Sequence, residues 1–465
     1  MFRSKEDLRN GATETELIKL RPERIGDVVI IQPLASSQQI QGTPLPAMPA
    51  PPAIRDPFNF VFITMFLFGI ASLLPWNFFI TADDYWKYKF RNVSANESVV
   101  TGKTELQAVF PSYLAIASKV PYIFSLALNT YLSRRVQPAR RIGWPLFGCA
   151  VLFVVTAVLV KINTDSHQME FLGGTLAIVV LINLCSGFLQ GGGTGLAGCF
   201  PVRYMAANVY GQAVGGVFAT VAQILCLMSD VSPTTSALLY FILAVLTLIL
   251  TQVCFGVLLK THFYKYYIGT QTVSYVDFAN NCTKEKTSLW HIFKGGWMFF
   301  TSIVLIFWVT LSIFPTIMVL VVSTHADNGS TITNKFFIPL SCFMMFNISD
   351  LIGRFICAYL PMSATWKKTI LVSCLARVVF VPLFLLCNAH PRQHLPVLFN
   401  SDLAYVIFMC LFGLSNGYLT SITLTYSSKS ATPENQETAG SMAAVFLGLG
   451  LMLGSVSSYA TVKLL

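Results

Sequence analysis

The residues best suited to chemistry lie inside a long apolar stretch near position 350. Asn347, Asp350 and Arg354 are spaced i, i+3 and i+7, so a helix would present all three on one face. A charged side chain at the middle of a bilayer costs about 2.5 to 3.5 kcal/mol on insertion scales. The pair is therefore either a structural ion pair that closes on itself or a site for a polar solute, since Arg354 keeps donors after one pairing.

A second polar face occurs in a different apolar stretch. Asn183, Ser186 and Gln190 repeat the same spacing, and glycines at 187, 191 and 195 recur beside them. Glycines at four-residue intervals favour a close helix crossing over a ligand-binding loop. Gln190 offers two donors and an acceptor, a pattern that matches the edge of a nucleobase.

An aromatic stripe lies in the first apolar stretch. Leu73, Trp76 and Ile80 share a helical face, Asn77 follows Trp76, and Pro75 loosens the helix there. Trp76 is either an anchor at the membrane interface or a flat ring that covers a flat heterocycle.

Two further basic residues, Lys119 and Arg377, lie in apolar stretches that contain no acidic residue. With Asp350 and Arg354 they give the membrane interior an excess of positive charge. We expect Arg377 to pair across helices or with carbonyl groups. This excess positive charge either pairs with acidic residues at the ends of spans, such as Glu437, or attracts an anionic solute.

The composition indicates which elements position these residues. The chain has 465 residues, of which 54% are hydrophobic and 11% charged, against roughly 25% charged in soluble domains. A soluble or disordered protein is excluded. Unbroken apolar runs, such as residues 237–259, exclude an outer-membrane β-barrel. We predict an all-α polytopic membrane protein with eleven transmembrane helices of about 20 residues or more. They lie near residues 58–80, 109–132, 143–160, 171–198, 207–229, 234–259, 296–322, 336–360, 368–388, 402–426 and 437–462.

The same pattern divides the chain into four parts. Residues 1–56 form a disordered cytosolic tail, 57–259 contain helices 1 to 6, 260–295 form a cytosolic loop, and 296–465 contain helices 7 to 11. Lys and Arg concentrate on the side that holds the N-terminus, so the N-terminus is expected in the cytosol and the C-terminus outside. The acceptor sequons at Asn92 and Asn96 then lie outside and predict glycosylation.

Other chemistries lack support in the sequence. The 11 cysteines form no CxxC pair, and His390 and His394 are separated by Pro391, which breaks a helix. HExxH, GxxxxGK[ST] and GxGxxG motifs do not occur, so we expect no enzyme, no metal site and no cofactor. The net charge of +10 reflects basic cytosolic loops, so nucleic acid is not an expected partner.

Seven segments, in order from the first span to the last, resemble the signature segments of the equilibrative nucleoside transporter family. They are SLLPWNFFITADDYW (72–86), LQGGGTGLAGCFP (189–201), SIFPTI (312–317), FNISDLIGR (346–354), ARVVFVPLFLLCN (376–388), GLSNGYLTS (413–421) and ETAGSMAAVFLGLGLMLGS (437–455). The PWNFFITADDYW and LCNAHPRQHL stretches are most similar to the branch that includes the endolysosomal members. The tail departs from that branch, because Thr13 stands where a dileucine signal at Leu17 and Ile18 would require an acid.

The resemblance implies a major-facilitator-like bundle of six helices plus five around a central cavity. It implies that Leu451 forms an apolar wall of the cavity. At position 186 this chain has serine, whereas family members that bind certain inhibitors tightly have glycine there. It places base contacts on Leu73, Trp76, Asn77, Ile80 and Gln190, and ribose contacts on Asp350 and Arg354.

The expected function is facilitated diffusion of purine and pyrimidine nucleosides, such as adenosine and uridine, by alternating access. The protein is expected to act as a monomeric uniporter in the plasma membrane, with a late endosome or lysosome membrane as the alternative. A second hypothesis is a proton- or anion-coupled carrier for nucleotides, nucleobases or monoamines, or a proton-coupled carrier for nucleosides in an endolysosomal membrane. A third is a membrane scaffold or receptor without transport activity.

Overall fold

The computed structural model describes residues 23–25, 28–30, 55–92, 104–229, 231–269, 288–326, 330–390, 392 and 394–465. Nearly all regular structure in these ranges is helical, as the composition predicts. The exception is an antiparallel pair of strands, β1 (Glu23–Ile25) and β2 (Val28–Ile30), with Glu23 opposite Ile30. The rest of the predicted tail lies outside the described residues.

Helices follow one another along the remainder of the chain. The earlier ones are α1 (Phe60–Thr81), α2 (Asp83–Lys89), α3 (Glu105–Leu132), α4 (Pro138–Lys161), α5 (Gln168–Cys199), α6 (Val202–Met228), α7 (Pro233–Leu258) and α8 (residues 262–269). The later ones are α9 (Leu289–Ile313), α10 (Met345–Tyr359), α11 (Lys367–Ala376), α12 (Phe380–Leu385), α13 (Asp402–Lys429) and α14 (Gln436–Leu464). A π-helical segment, Ile338–Met344, runs directly into α10.

Ten helical segments in the described part of the chain are long and apolar enough to cross a membrane. The remaining predicted span, residues 109–132, falls on α3, which has 28 residues but is not one of those ten. A count of eleven crossings therefore stays a prediction. Helices α1 and α3 to α7 pack mainly among themselves, as do α9 to α13, while α14 packs on α9 and also on α5 and α3. The division into two halves stays a prediction.

Several boundaries differ from the sequence-based expectation. The loop predicted after the first span contains α2, and the predicted cytosolic loop 260–295 contains α8 and the start of α9. Helix α9 begins at Leu289 because the Ser288 side chain accepts a hydrogen bond from the Trp290 amide at 3.2 Å and caps it. Helix α4 begins at Pro138, so Arg141 lies inside a helix and not in a loop.

The ninth predicted span is broken in the middle. A 3₁₀ turn, Arg377–Val379, separates α11 from α12. Pro382 lacks an amide N–H, so the carbonyl four residues earlier, in Val378, loses its usual helical partner. The break falls at Arg377, whose side chain is only 2% exposed.

Glycines allow the helices that carry the site to approach closely. A Cβ on Gly69 of α1 would lie 2.0 Å from the Asn208 carbonyl oxygen of α6, and one on Gly211 would lie 1.9 Å from the Phe66 carbonyl oxygen. No real side chain tolerates such distances, so these positions require glycine. The glycines predicted to mark a helix crossing in α5 do so, and that prediction is confirmed. Their neighbours are α3 at Gly187 and Gly191, and α14 at Gly195.

Candidate functional site

Asp350 and Arg354 form a buried ion pair on α10. Arg354 Nε donates to Asp350 Oδ2 at 2.7 Å, and the arginine and the aspartate are 5% and 4% exposed. Arg354 Nη1 also donates to the backbone carbonyl of Val209 on α6 at 2.7 Å. The i, i+4 pair therefore exists but does not close on itself, because the guanidinium reaches a helix of the other group.

The other oxygen of Asp350 belongs to a second chain of contacts. Asp350 Oδ1 accepts from Asn416 Nδ2 on α13 at 2.7 Å. Asn416 Oδ1 in turn accepts from Arg377 Nη1 at 2.9 Å and lies 2.8 Å from Thr310 Oγ1 on α9. Arg377 thus pairs across helices, as expected from its position in an apolar span.

The pair keeps hydrogen-bonding capacity after these contacts. An ionised carboxylate has about four acceptor positions, and Asp350 uses one on each oxygen. Arg354 uses two of the five N–H groups of a guanidinium, leaving three without a protein partner among the described residues. Acceptors and donors side by side suit a solute with neighbouring hydroxyl groups, such as a sugar.

Asn347, the third residue of the predicted face, also contacts α6. Its Nδ2 donates to Thr220 Oγ1 at 3.0 Å. The rings of Tyr210 on α6 and Phe355 on α10 lie 4.8 Å apart between centroids. The α10 face therefore forms a seam between the two groups of helices.

Two polar residues of α5 keep unpaired oxygens. Asn183 is satisfied within the helix, since its Nδ2 donates to the Val179 carbonyl at 2.9 Å. Ser186 Oγ and Gln190 Oε1, in contrast, are buried and have no hydrogen-bond partner in the described part of the chain. A buried acceptor left unpaired costs about 1 to 3 kcal/mol. The two oxygens lie one helical turn apart, and a ligand with its own hydrogen-bond donors would pair with both.

The remaining predicted contacts lie on α1 and α14. Leu73 and Asn77 are half-buried on α1, which packs on α6. The backbone of Trp76 and Ile80 is helical, but their side chains lie outside the described part of the structure. Leu451 of α14 is half-buried against the cluster of Tyr122, Leu126 and Ala444.

Sequence reasoning missed three of the residues that surround these positions. Tyr122 on α3 has a buried hydroxyl without a partner among the described residues, and a tyrosine in an apolar run gives no signal of this. Thr310 lies in an apolar stretch that gives no signal either. Asn416 did carry a signal, because it lies between Gly413 and Gly417 in a segment that resembles a family signature.

The structure joins Asp350 and Arg354 directly but leaves them apart from the α5 residues. No hydrogen bond among the described residues connects Gln190 or Ser186 to that pair. The candidate site thus has two parts, a charged part on α10 and an uncharged part on α5. Helix α6 contacts both α5 and α10.

A second polar cluster holds the two groups together at the end of the bundle that carries the predicted cytosolic loops. Arg141 of α4 pairs with Glu437 of α14 and donates to the Asn129 side chain. Lys429 Nζ donates to the carbonyls of Gly198 at 3.1 Å and Phe200 at 2.8 Å, at the end of α5. The sequence suggested Glu437 as a partner for the excess positive charge inside the membrane, but its partner is Arg141, which was not part of that excess.

The predicted glycosylation sites are only partly described. Asn92 is exposed, and Asn96 lies outside the described residues. The ten cysteines in the described ranges are free, and no metal-binding group of side chains was found within those ranges.

Comparison with known sequences gives a consistent result. Residues 176–463 match the family model described as Nucleoside transporter. Human equilibrative nucleoside transporter 1 is 35% identical over 448 residues, covering 87% of this chain and 97% of that protein. Rat equilibrative nucleoside transporter 3 is 35% identical over 444 residues, covering 90% of this chain and 93% of that protein. Since these identities are equal, identity alone does not assign the chain to one branch.

Solved structures establish the fold. The human organic anion transporter MFSD10 (TETRAN) superposes with a TM-score of 0.54 at 13% identity, covering 88% of this chain and 95% of that one. The major facilitator superfamily proton:xylose symporter XylE gives 0.57 at 14% identity, covering 85% and 87%. The predicted fold class, an all-helical membrane bundle of the major-facilitator type, is confirmed.

Proposed function

This chain belongs to the equilibrative nucleoside transporter family, and we propose that it carries purine and pyrimidine nucleosides across a membrane by facilitated diffusion. The family is one of multi-pass membrane transporters, so the expectation that the chain is a transporter and not an enzyme is confirmed. Adenosine and uridine are the substrates we propose.

The observation that carries the proposal is the Asp350 and Arg354 pair. Burying both charges is costly unless their bonding capacity is used. Asp350 would accept hydrogen bonds from ribose hydroxyls, and the remaining N–H groups of Arg354 would donate to the sugar oxygens. A ribose presents adjacent donors and acceptors and so satisfies both residues at once.

The base would occupy the uncharged part of the site. Gln190 and Ser186 bring unpaired oxygens that accept from the amino or imino groups of a nucleobase. Trp76 would cover the plane of the base. Leu73, Asn77, Ile80 and Leu451 would complete the wall around it.

We propose that transport proceeds by rocking of α1 to α7 against α9 to α14. Two seams support this motion. One is the α6 and α10 seam, which includes Arg354 and Val209; the other is the polar cluster of Arg141 and Glu437. Both consist of hydrogen bonds and small contacts. Helix α14 also packs on α3 and α5, partly through the apolar cluster of Tyr122, Leu126 and Ala444, so this third contact must rearrange as well.

The orientation follows from the distribution of basic residues. We propose a monomer in the plasma membrane, with the N-terminus in the cytosol, the C-terminus outside, and glycans on Asn92 and Asn96. Expression of Asn92→Gln and Asn96→Gln, singly and together, should remove glycan mass stepwise, with glycosidase treatment as the control. A wild-type protein insensitive to glycosidase would contradict this orientation or the use of these sites.

Uptake by purified protein in liposomes tests the function. Radiolabelled uridine and adenosine should enter saturably, compete with one another, and stop at equal concentrations on both sides. A proton-coupled carrier would instead accumulate substrate when the outside is acidified and would produce a current. A scaffold or receptor would show no saturable uptake at all.

A further inference from the structure

Arg377 carries a buried charge that helix packing does not require. It is 2% exposed, and no acidic side chain pairs with it directly among the described residues. Its guanidinium donates to Asn416 Oδ1 and Thr310 Oγ1, and it lies 4.7 Å from the centroid of the Phe412 ring. A buried guanidinium without a carboxylate is expensive, and a neutral side chain would fill the same volume at lower cost.

The contacts of Arg377 determine how the Asn416 amide is oriented. Thr310 Oγ1 has a single proton, and two acceptors compete for it: the Ile306 carbonyl at 2.7 Å and Asn416 Oδ1 at 2.8 Å. Arg377 Nη1 has no such alternative and donates to Asn416 Oδ1 at 2.9 Å. With its oxygen held there, the amide must turn Nδ2 towards Asp350 Oδ1, at 2.7 Å.

We propose that Arg377, acting through Asn416, positions the Asp350 carboxylate and thereby sets how strongly the transporter selects for ribose hydroxyls. This inference rests on the proposed role of Asp350 as the group that accepts from the sugar. Arg377 touches no substrate; it is a positioning residue, and its effect is transmitted by one amide.

The positions of Arg354 and Arg377 explain why the site contains a second arginine besides the one that pairs with Asp350. Arg354 holds Asp350 but also contacts α6, which belongs to the opposing group of helices. When the two groups rock apart, that contact changes. Asn416 and Asp350, with the 3₁₀ turn of Arg377, all lie within the later group, so their contacts move as one unit. The carboxylate therefore stays oriented and compensated when the contact between Arg354 and Val209 changes.

The test compares uridine with 3′-deoxyuridine, using the full-length protein in liposomes. Arg377→Gln removes the charge and leaves the Asn416 amide free to turn. We expect the ratio of uptake efficiency for uridine over 3′-deoxyuridine to fall by roughly tenfold, the loss typical of one hydrogen bond to a charged group. KM for uridine should rise, while 3′-deoxyuridine uptake changes little. Arg377→Lys should restore part of the ratio, because it restores the charge but not the paired geometry.

A second variant acts on the amide itself. Asn416→Asp gives Arg377 a direct ion-pair partner but places a carboxylate against Asp350, so uridine selection should be lost as in Arg377→Gln. Thr423→Val on the same helix is the matched control, since among the described residues the Thr423 hydroxyl bonds only carbonyls of its own helix, those of Leu419 at 2.7 Å and Thr420 at 3.2 Å. It should keep the wild-type ratio.

The outcomes separate this inference from the proposed function. If Asp350→Ala abolishes uptake while Arg377→Gln and Asn416→Asp keep the wild-type ratio, the positioning role is refuted and the proposed function stands. If Asp350→Ala transports uridine normally, the ribose site itself is wrong. Should Arg377→Gln fail to reach the membrane, Arg377→Lys decides the matter: an unchanged ratio and KM would overturn the proposal.

Discussion

Arg354 on α10 donates a hydrogen bond to the Val209 carbonyl on α6 at 2.7 Å, while its Nε holds Asp350 on its own helix. One side chain therefore links the proposed ribose site to a seam between the two groups of helices. A sugar bound through the remaining N–H groups of Arg354 would be held by the same guanidinium that contacts α6. Substrate binding and the relative position of the groups are therefore coupled through this one side chain.

The first prediction concerns Arg354→Lys. An ammonium is a point charge and cannot contact Asp350 and Val209 in the fixed geometry of a guanidinium. Breaking a buried charge pair commonly costs about 2 to 5 kcal/mol, so uridine uptake should fall by at least about tenfold, and Arg354→Ala should nearly abolish it. Initial uptake rates at equal amounts of liposome-inserted protein measure this. Wild-type rates for Arg354→Lys would show that the two contacts are not needed together.

The second prediction concerns Gln190→Leu. Because Gln190 Oε1 is buried without a partner among the described residues, an apolar residue of similar size should leave the substrate-free protein as stable as before, or more stable by about 1 kcal/mol. Uptake should decrease and the preference between uridine and adenosine should change. Thermal unfolding and competition assays supply the two measurements. Asn183→Ala on the same face is the control, since Asn183 is already satisfied within α5 and should leave base preference unaltered.

The third prediction concerns the crossing of α10 and α13. A Cβ on Gly417 would lie 1.8 Å from the Asp350 carbonyl oxygen, so Gly417→Ala must separate the helices and displace the carboxylate. We expect a loss of stability of about 1 to 3 kcal/mol, together with loss of uptake. Gly256→Ala on α7 is the matched control, because a Cβ there would meet no neighbouring group within 4 Å in the described part of the chain, and helix propensity favours alanine. Equal melting temperatures for both variants would contradict this view of the crossing.

The fourth prediction concerns the pair of Arg141 and Glu437. Glu437→Gln leaves the buried guanidinium of Arg141 without its acid, which typically costs about 3 to 5 kcal/mol. The end of the bundle where α4 meets α14 should open more readily, lowering the melting temperature and altering the maximal rate of uptake more than KM. Exchanging the two charges, with Arg141→Glu and Glu437→Arg combined, should recover part of the stability. No recovery in the exchanged protein, or no effect of Glu437→Gln, would show that the ion pair of Arg141 and Glu437 does not hold this end of the bundle closed.

The sequence alone determined the class of the protein and the residues that could form a site. The apolar spans predicted the membrane bundle, because lipid leaves a chain few ways to satisfy its backbone. Helical spacing placed Asp350 with Arg354, and Ser186 with Gln190, because neighbours three or four residues apart must share a face. Each of these conclusions depends only on contacts within one helix.

Only the tertiary structure decided which helices complete the site. Asn416, Thr310 and Val209 reach the charged pair and its neighbours from three other helices, and Arg141 meets an acid that is distant in the chain, Glu437. Periodicity reports how a residue faces its own helix axis but not which helix lies opposite. That choice is made by glycine-lined crossings and the break at Arg377, whose consequences appear only once the helices are packed together.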